Sequence, residues 1–138
     1  MWSHSAAFME ISGKMQMSLP ELLQANGLPK GLFPKSVTHY ELAEARGKLT
    51  IFLPSICEVR FRDSSIVRYA THITALISQG RLTNIEGMKT KILVWVNVTS
   101  ITVDEPKSEN VYFGVGFKKS RPFEAYDVLR DGVEVDDF

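Results

Sequence analysis

Cysteine is nearly absent from this chain: Cys57 is the only one in 138 residues. No internal disulfide can form, which fits a reducing compartment or a fold that needs no staple. Net charge is absent too. Sixteen basic and sixteen acidic side chains cancel, so no bulk field steers the chain onto nucleic acid or an anionic membrane. No stretch approaches the roughly 20 apolar residues that span a bilayer. The first ten residues lack the basic start and long apolar core of a secretory signal. A soluble, cytoplasmic protein is the expectation, and the sequon at Asn97 is expected to stay unglycosylated. What is present is material for one core, with 44% hydrophobic residues and aromatics spread along the length.

Residues 1–17 carry no clear period and hold four of the five methionines; they read as a loosely ordered leader before a single β-rich domain, 18–138. Ser18-Leu19-Pro20-Glu21 is a helix start, with Ser18 as cap, Pro20 in the first turn and Glu21 completing a capping box. Leu19, Leu22 and Leu23 form its apolar stripe, and Gly27 suits the left-handed residue beyond its end. Pro29 and Pro34 then bracket an extended linker that carries Leu32 and Phe33 inward.

From Val37 onward the period changes from 3.6 to 2. Leu49, Ile51 and Leu53 make one inward row, and Cys57, Val59 and Phe61 another, with Glu58, Arg60 and Arg62 outward. A polar turn at Arg62–Ser65 leads into a long row of Val67, Tyr69, Thr71, Ile73, Ala75 and Ile77, ended by a corner at Gln79-Gly80-Arg81. Lys91–Asp104 is the most apolar segment. Ile92, Val94, Val96 and Val98 share its inward face until the phase shifts to Ile101 and Val103, which predicts a β-bulge near Thr99-Ser100. A charged hairpin loop from Asp104 to Asn110 precedes an inward row of Val111, Phe113, Val115 and Phe117. Gly114 and Gly116 on the other face suit curvature. The tail from Arg121 reads as a short helix or strand and an acidic end. The fold class is mostly β (α+β): a curved antiparallel meander forming an open barrel or roll, with the helix packed at one end.

Catalytic patterns are hard to find. No Gly-x-Ser-x-Gly elbow occurs, and Gly114-x-Gly116 opens no helix and precedes no P-loop lysine. Ser65, His72 and Asp63 are the one conceivable hydrolytic set, weighed against an exposed turn and a solvated histidine. His39 and Glu41 share a strand face, more naturally as a surface pair than as metal ligands. Cys57 reads as a buried small hydrophobe. Lys118, Lys119 and Arg121, with Lys89 and Lys91 nearby, make the one local basic patch, suited to an anionic group or to plain solvation. Trp95 opposes Val94 and Val96, so it marks an outer binding surface unless the N-terminal helix covers it, and cover is the favoured reading.

The run Gly27-Leu28-Pro29-Lys30-Gly31-Leu32-Phe33-Pro34, the strand carrying Tyr40, the segment from Gly87 to Val96 and the segment from Val111 to Gly116 resemble the plant domain-of-unknown-function family 538. The resemblance runs from about Gly13 to Phe138 and is closest to the cytosolic-type branch without a signal peptide. It implies a fold similar to one half of the permeability-increasing lipid-binding proteins. It also implies suggested roles in stress response, in binding apolar or lipopolysaccharide-like ligands and in a contested chlorophyll-hydrolysing activity, with no established catalytic residues. Residues and resemblance together lead us to expect a non-enzymatic module for an apolar or lipid-like ligand. Leu32, Phe33, Ile73, Ile77, Trp95, Phe113 and Phe117 would line its site. Lys118, Lys119 and Arg121 would meet an anionic group. No cofactor, metal, nucleic acid or integral membrane association is expected. The competing readings are a protein-interaction domain without a cavity and an esterase-type hydrolase acting on a lipid or pigment ester.

Overall fold

Two long strands, β6 (Ile66–Ser78) and β7 (Arg81–Lys91), form a hairpin that is the spine of the molecule. The computed structural model describes residues 10–11, 14–15, 17–104 and 109–138. Within the expected leader, β1 (Glu10–Ile11) pairs with β2 (Lys14–Met15); most of residues 1–17, and residues 105–108 of the charged loop, lie outside the described set. The one α-helix among the described residues, α1 (Leu19–Ala25), begins as the sequence predicts. Ser18 Oγ accepts from Glu21 N–H at 3.3 Å, and Glu21 Oε1 accepts from Ser18 N–H at 3.1 Å.

Each spine strand is long enough to seat two short partners end to end. On one side β6 takes β4 (Lys48–Phe52) and then β5 (Cys57–Arg60). Pro54 lies in the break between them, where its missing N–H would interrupt a ladder. On the other side β7 takes β8 (Trp95–Asn97) and β9 (Ser100–Val103), separated by Val98-Thr99. This break is the predicted irregularity, displaced by one residue, and it switches the buried phase from Val98 to Ile101. β3 (His39–Ala43) pairs with β4. β10 (Asn110–Gly114) joins β9 to β11 (Lys118–Pro122), and β12 (Val133–Glu134) pairs with β5. The main order is β11-β10-β9-β7-β6-β4-β3. All the pairings are antiparallel and the terminal strands do not meet, so the sheet is open, not a closed barrel. A 3-10 turn, Phe123–Tyr126, folds back over β10 and β11.

The concave side is filled. Tyr40, Leu49, Ile51, Tyr69, Ile73, Leu82, Ile101, Val111 and Phe113 are fully buried in one cluster that takes in Leu19, Leu22, Leu23, Leu28, Leu32 and Phe33. Two expectations need correction, and residues 81–91, where periodicity predicts no element beyond the corner at Arg81, are a strand. Their buried positions fall at Leu82, Ile85, Met88 and Thr90 because the β6–β7 register slips twice and Asn84 has φ 50°, so the period of 2 is scrambled. Ile92–Val94, read as strand interior, is the turn of the β7–β8 hairpin. Leu93 is 89% and Val94 65% exposed, and Ile92 N–H donates to Val94 O at 3.0 Å. Phe117 leaves the inward row because the chain reverses at Gly116, φ 93°, where Val115 N–H reaches Phe117 O; its side chain is 58% exposed.

Candidate functional site

The segment after α1 is held from both sides. Asn26 O accepts from Gly80 N–H at 2.7 Å, which fixes the helix end to the β6–β7 turn. Residues 28–35 then zip onto the C-terminal segment. Gly31 N–H donates to Tyr126 O at 2.9 Å, Lys30 N–H to Asp127 Oδ1 at 3.1 Å, and Lys35 N–H to Arg130 O at 3.0 Å. Gly31 is required by the closeness of this approach, since a Cβ there would collide with the Val128 carbonyl. From the sheet, Tyr69 donates its hydroxyl to Leu32 O at 2.5 Å. Burial drives the Tyr69 pKa well above the ordinary tyrosine value.

Between α1, this linker and the C-terminal segment lies an apolar cavity of about 290 Å³. Leu19, Pro20, Leu23, Phe33, Pro34, Val37 and Leu129 form its walls, and Ser18, Lys30 and Lys35 supply the polar atoms. The capping box fixes the first turn of α1, which supplies Ser18, Leu19 and Pro20 to the lining. The linker is a run of turns and bends, not the extended segment expected from its two prolines, and it brings Lys30, Phe33, Pro34 and Lys35 to the cavity while Leu28 and Leu32 pack in the core. Tyr40 stands close by and donates to Met17 O at 2.6 Å. Its pKa is raised to about 12, mainly by burial and further by Glu21 and Glu44.

Of the seven residues expected to line a ligand site, Phe33 alone is on this wall. Leu32, Ile73 and Phe113 are sealed in the core, and Ile77 packs half-buried against it. Phe117 is in solvent. Trp95 lies on the outer face, and its cover is the Arg68 guanidinium at 4.0 Å from the ring centre, with Lys91 at 5.8 Å. The helix is not its cover, because α1 is tied to the Arg81 end of β7 while Trp95 pairs at the Lys91 end. The site residues missed by sequence reasoning are Leu19, Leu23, Val37, Leu129, Lys30 and Lys35. The paired signals of a leucine stripe followed by a proline-bracketed linker mark most of them. Leu129 carries no sequence signal, because it arrives from the far end of the chain.

The basic patch does not assemble as expected. Lys118 and Lys119 are exposed, with Lys118 Nζ 5.0 Å from the Tyr112 ring centre, but Arg121 is 5% exposed and turned inward. Arg121 pairs with Val111 of the core row, whereas Lys119, two residues earlier on the same face and opposite Phe113, stays exposed. Arg121 donates to Thr90 Oγ1 at 2.9 Å and Tyr126 Oη at 3.2 Å, over the Phe113 ring at 4.7 Å. Lys89 and Lys91 are engaged elsewhere, Lys89 with the Phe138 carbonyl and ring.

Asp63 and Ser65 do come together. Ser65 donates its hydroxyl to Asp63 Oδ1 at 2.6 Å and accepts from the Tyr126 hydroxyl. His72 is not part of this group. Seven residues along β6 place it about 23 Å away, exposed, with its ring edge-on to Phe52 at 4.9 Å. Tyr126 takes the third place. Burial raises its pKa to about 12 against the opposing pull of Ser65 and Arg121, so it holds its proton and serves as a donor, not a base. The result is a half-buried hydroxyl relay that ties the β5–β6 turn to the C-terminal segment. His39 stacks on Phe52, ring centres 4.3 Å apart, and Glu41 is exposed. Among the described residues no three His, Cys, Asp or Glu side chains converge as a metal set. Cys57 is buried. That burial raises its pKa, against a lowering hydrogen bond from Ser36 and with a further rise from Glu58.

Residues 19–127 match the family described as "Protein of unknown function, DUF538". The chain is also 50% identical over 129 residues to an uncharacterized protein of Arabidopsis thaliana, an alignment that covers 94% of this chain and 74% of that relative.

Proposed function

This chain belongs to the DUF538 family of plant proteins, a description that names no chemistry, and from that premise we propose that it is a non-enzymatic binding module for a small apolar or lipid-like ligand. The observation that carries the reading is the cavity of about 290 Å³ walled by Leu19, Leu23, Phe33, Val37 and Leu129. It is at the small end of ligand pockets, roughly 300 Å³ and upward, and so suits a short apolar chain or a single ring system. Lys30 and Lys35 among the lining residues favour a ligand with an acidic end. Among the described residues the sheet interior is filled by its own side chains.

The test is titration with anilinonaphthalene sulfonate, an apolar anionic probe, followed by displacement with medium-chain fatty acids. Enhanced fluorescence that fatty acids reverse is the expected result. Leu129→Trp fills the cavity and abolishes it, and Lys35→Glu, an exposed change that leaves the fold intact, weakens it. Enhancement that is missing, or equal in both variants, overturns the reading.

A further inference from the structure

The outer face of the spine, away from the cavity, carries an unusual arrangement. Leu93 and Val94 project from the β7–β8 turn as two of the most exposed large apolar side chains in the described structure, at 89% and 65%. Strand register shows what stands beneath them. Lys91 pairs with Trp95 on β8, Arg60 with Ile66, and the Val67–Thr90 pairing sets Ile66 beside Lys91. The row nearest the tip is therefore Trp95, Lys91, Ile66 and Arg60, with two cations and no anion. The next row back is Asn97, Lys89, Arg68 and Glu58. Glu58 is held by Arg68, whose guanidinium also covers Trp95. Other charges near this end are Arg62, Asp63, which is committed to Ser65, Glu124 beside these two, and the tail acids Glu134, Asp136 and Asp137, with Phe138 on Lys89.

An apolar tip, an amphipathic aromatic at its base and long cationic side chains beside it is the order of groups that suits a bilayer interface. The tip would enter the acyl boundary, the indole would lie at headgroup depth, and the lysine and arginine stems would reach phosphates. Exposed apolar turns are otherwise a solubility liability. We propose that the β7–β8 tip and its flanking row dock reversibly on the surface of an anionic phospholipid bilayer. The overall neutrality of the chain does not oppose this, because attraction acts within about a Debye length of the surface and the nearest row is cationic. The proposal is independent of the cavity on the other side of the sheet.

Vesicle flotation of the full chain tests it, with phosphatidylcholine alone and with about 30% phosphatidylserine added. Co-flotation with the anionic vesicles that declines as salt rises is the expected result. Leu93→Ser with Val94→Ser, both solvent positions, removes it while the circular dichroism spectrum is unchanged. Lys91→Glu lowers vesicle affinity at least about fivefold, the effect of one surface cation. No flotation on anionic vesicles, equal flotation on phosphatidylcholine, or an unaffected double serine variant overturns the proposal. So does self-association in sedimentation that the serine variant abolishes, because the occupant of the tip would then be a second copy. Should the double variant not fold, Lys91→Glu alone carries the test.

Discussion

At the scale of single residues, the buried polar side chains Arg121, Tyr69 and Tyr40 work as hydrogen-bond donors. Arg121 is almost completely enclosed, yet its described partners are hydroxyls and an aromatic ring, an arrangement that keeps a charge inside only while each hydrogen bond is made. Tyr126 is the pivot, between Ser65 and Arg121. Its pKa and that of Tyr40 stand at about 12 in the fold against 10.0 for the free side chain. Between these values the unfolded chain releases protons that the native protein keeps. Stability is therefore undiminished below pH 10 and falls as pH rises from 10 toward 12. Urea unfolding at pH 9 and pH 11 measures this, with the lower midpoint expected at the higher pH. Tyr126→Phe removes part of that alkaline loss and, at neutral pH, costs about 1–3 kcal/mol because Ser65 and Arg121 lose a partner.

At the scale of elements, α1 has seven residues, too short to persist without its cap and its packing. Ser18→Ala is expected to lower stability by about 1 kcal/mol in urea titration and to weaken probe binding with it, since α1 is one wall of the cavity. This helix, its cap, its end at Gly27 and the inward Leu32 and Phe33 were all legible, because capping and proline chemistry act over a few neighbouring residues. The rows Leu49–Ile51, Cys57–Val59–Phe61 and Val67–Ala75 were legible because a half-buried strand repeats every second residue. β7 was not, because its two register slips put buried side chains at Leu82, Ile85 and Met88, a spacing of three. Ile92–Val94 misled for the opposite reason: three branched or long aliphatic side chains have the composition of a buried strand while occupying a turn. Arg121 misled by its neighbours, since Lys119 on the same face of β11 is exposed and nothing local shows that Thr90, Tyr126 and Phe113 gather around the third cation. The candidate site was half readable. The leucine stripe and the linker are local in sequence, whereas Leu129 and the hydroxyl relay depend on contacts across most of the chain.

At the scale of the whole molecule, the C-terminal residues complete structures begun at the other end. β12 pairs with β5, Gly132 packs on Cys57, and Leu129 closes the cavity. Ending the chain after Asp127 is expected to uncover the Cys57 thiol. A disulfide reagent such as dithionitrobenzoate then reacts with it rapidly in the shortened protein and slowly in the full one, and equal rates would show that the tail contributes no cover. The bond from Lys30 N–H to Asp127 joins positions 97 apart, and it has a consequence for synthesis. At about 5–20 residues per second, a ribosome needs roughly 5–20 s after making the linker to deliver its partner. Throughout that interval the apolar run from Leu28 to Phe33 is on the nascent chain without its final cover. The cavity is thus among the last features to come into being, and the newborn polypeptide in those seconds is a natural client for chaperones that recognise short hydrophobic segments.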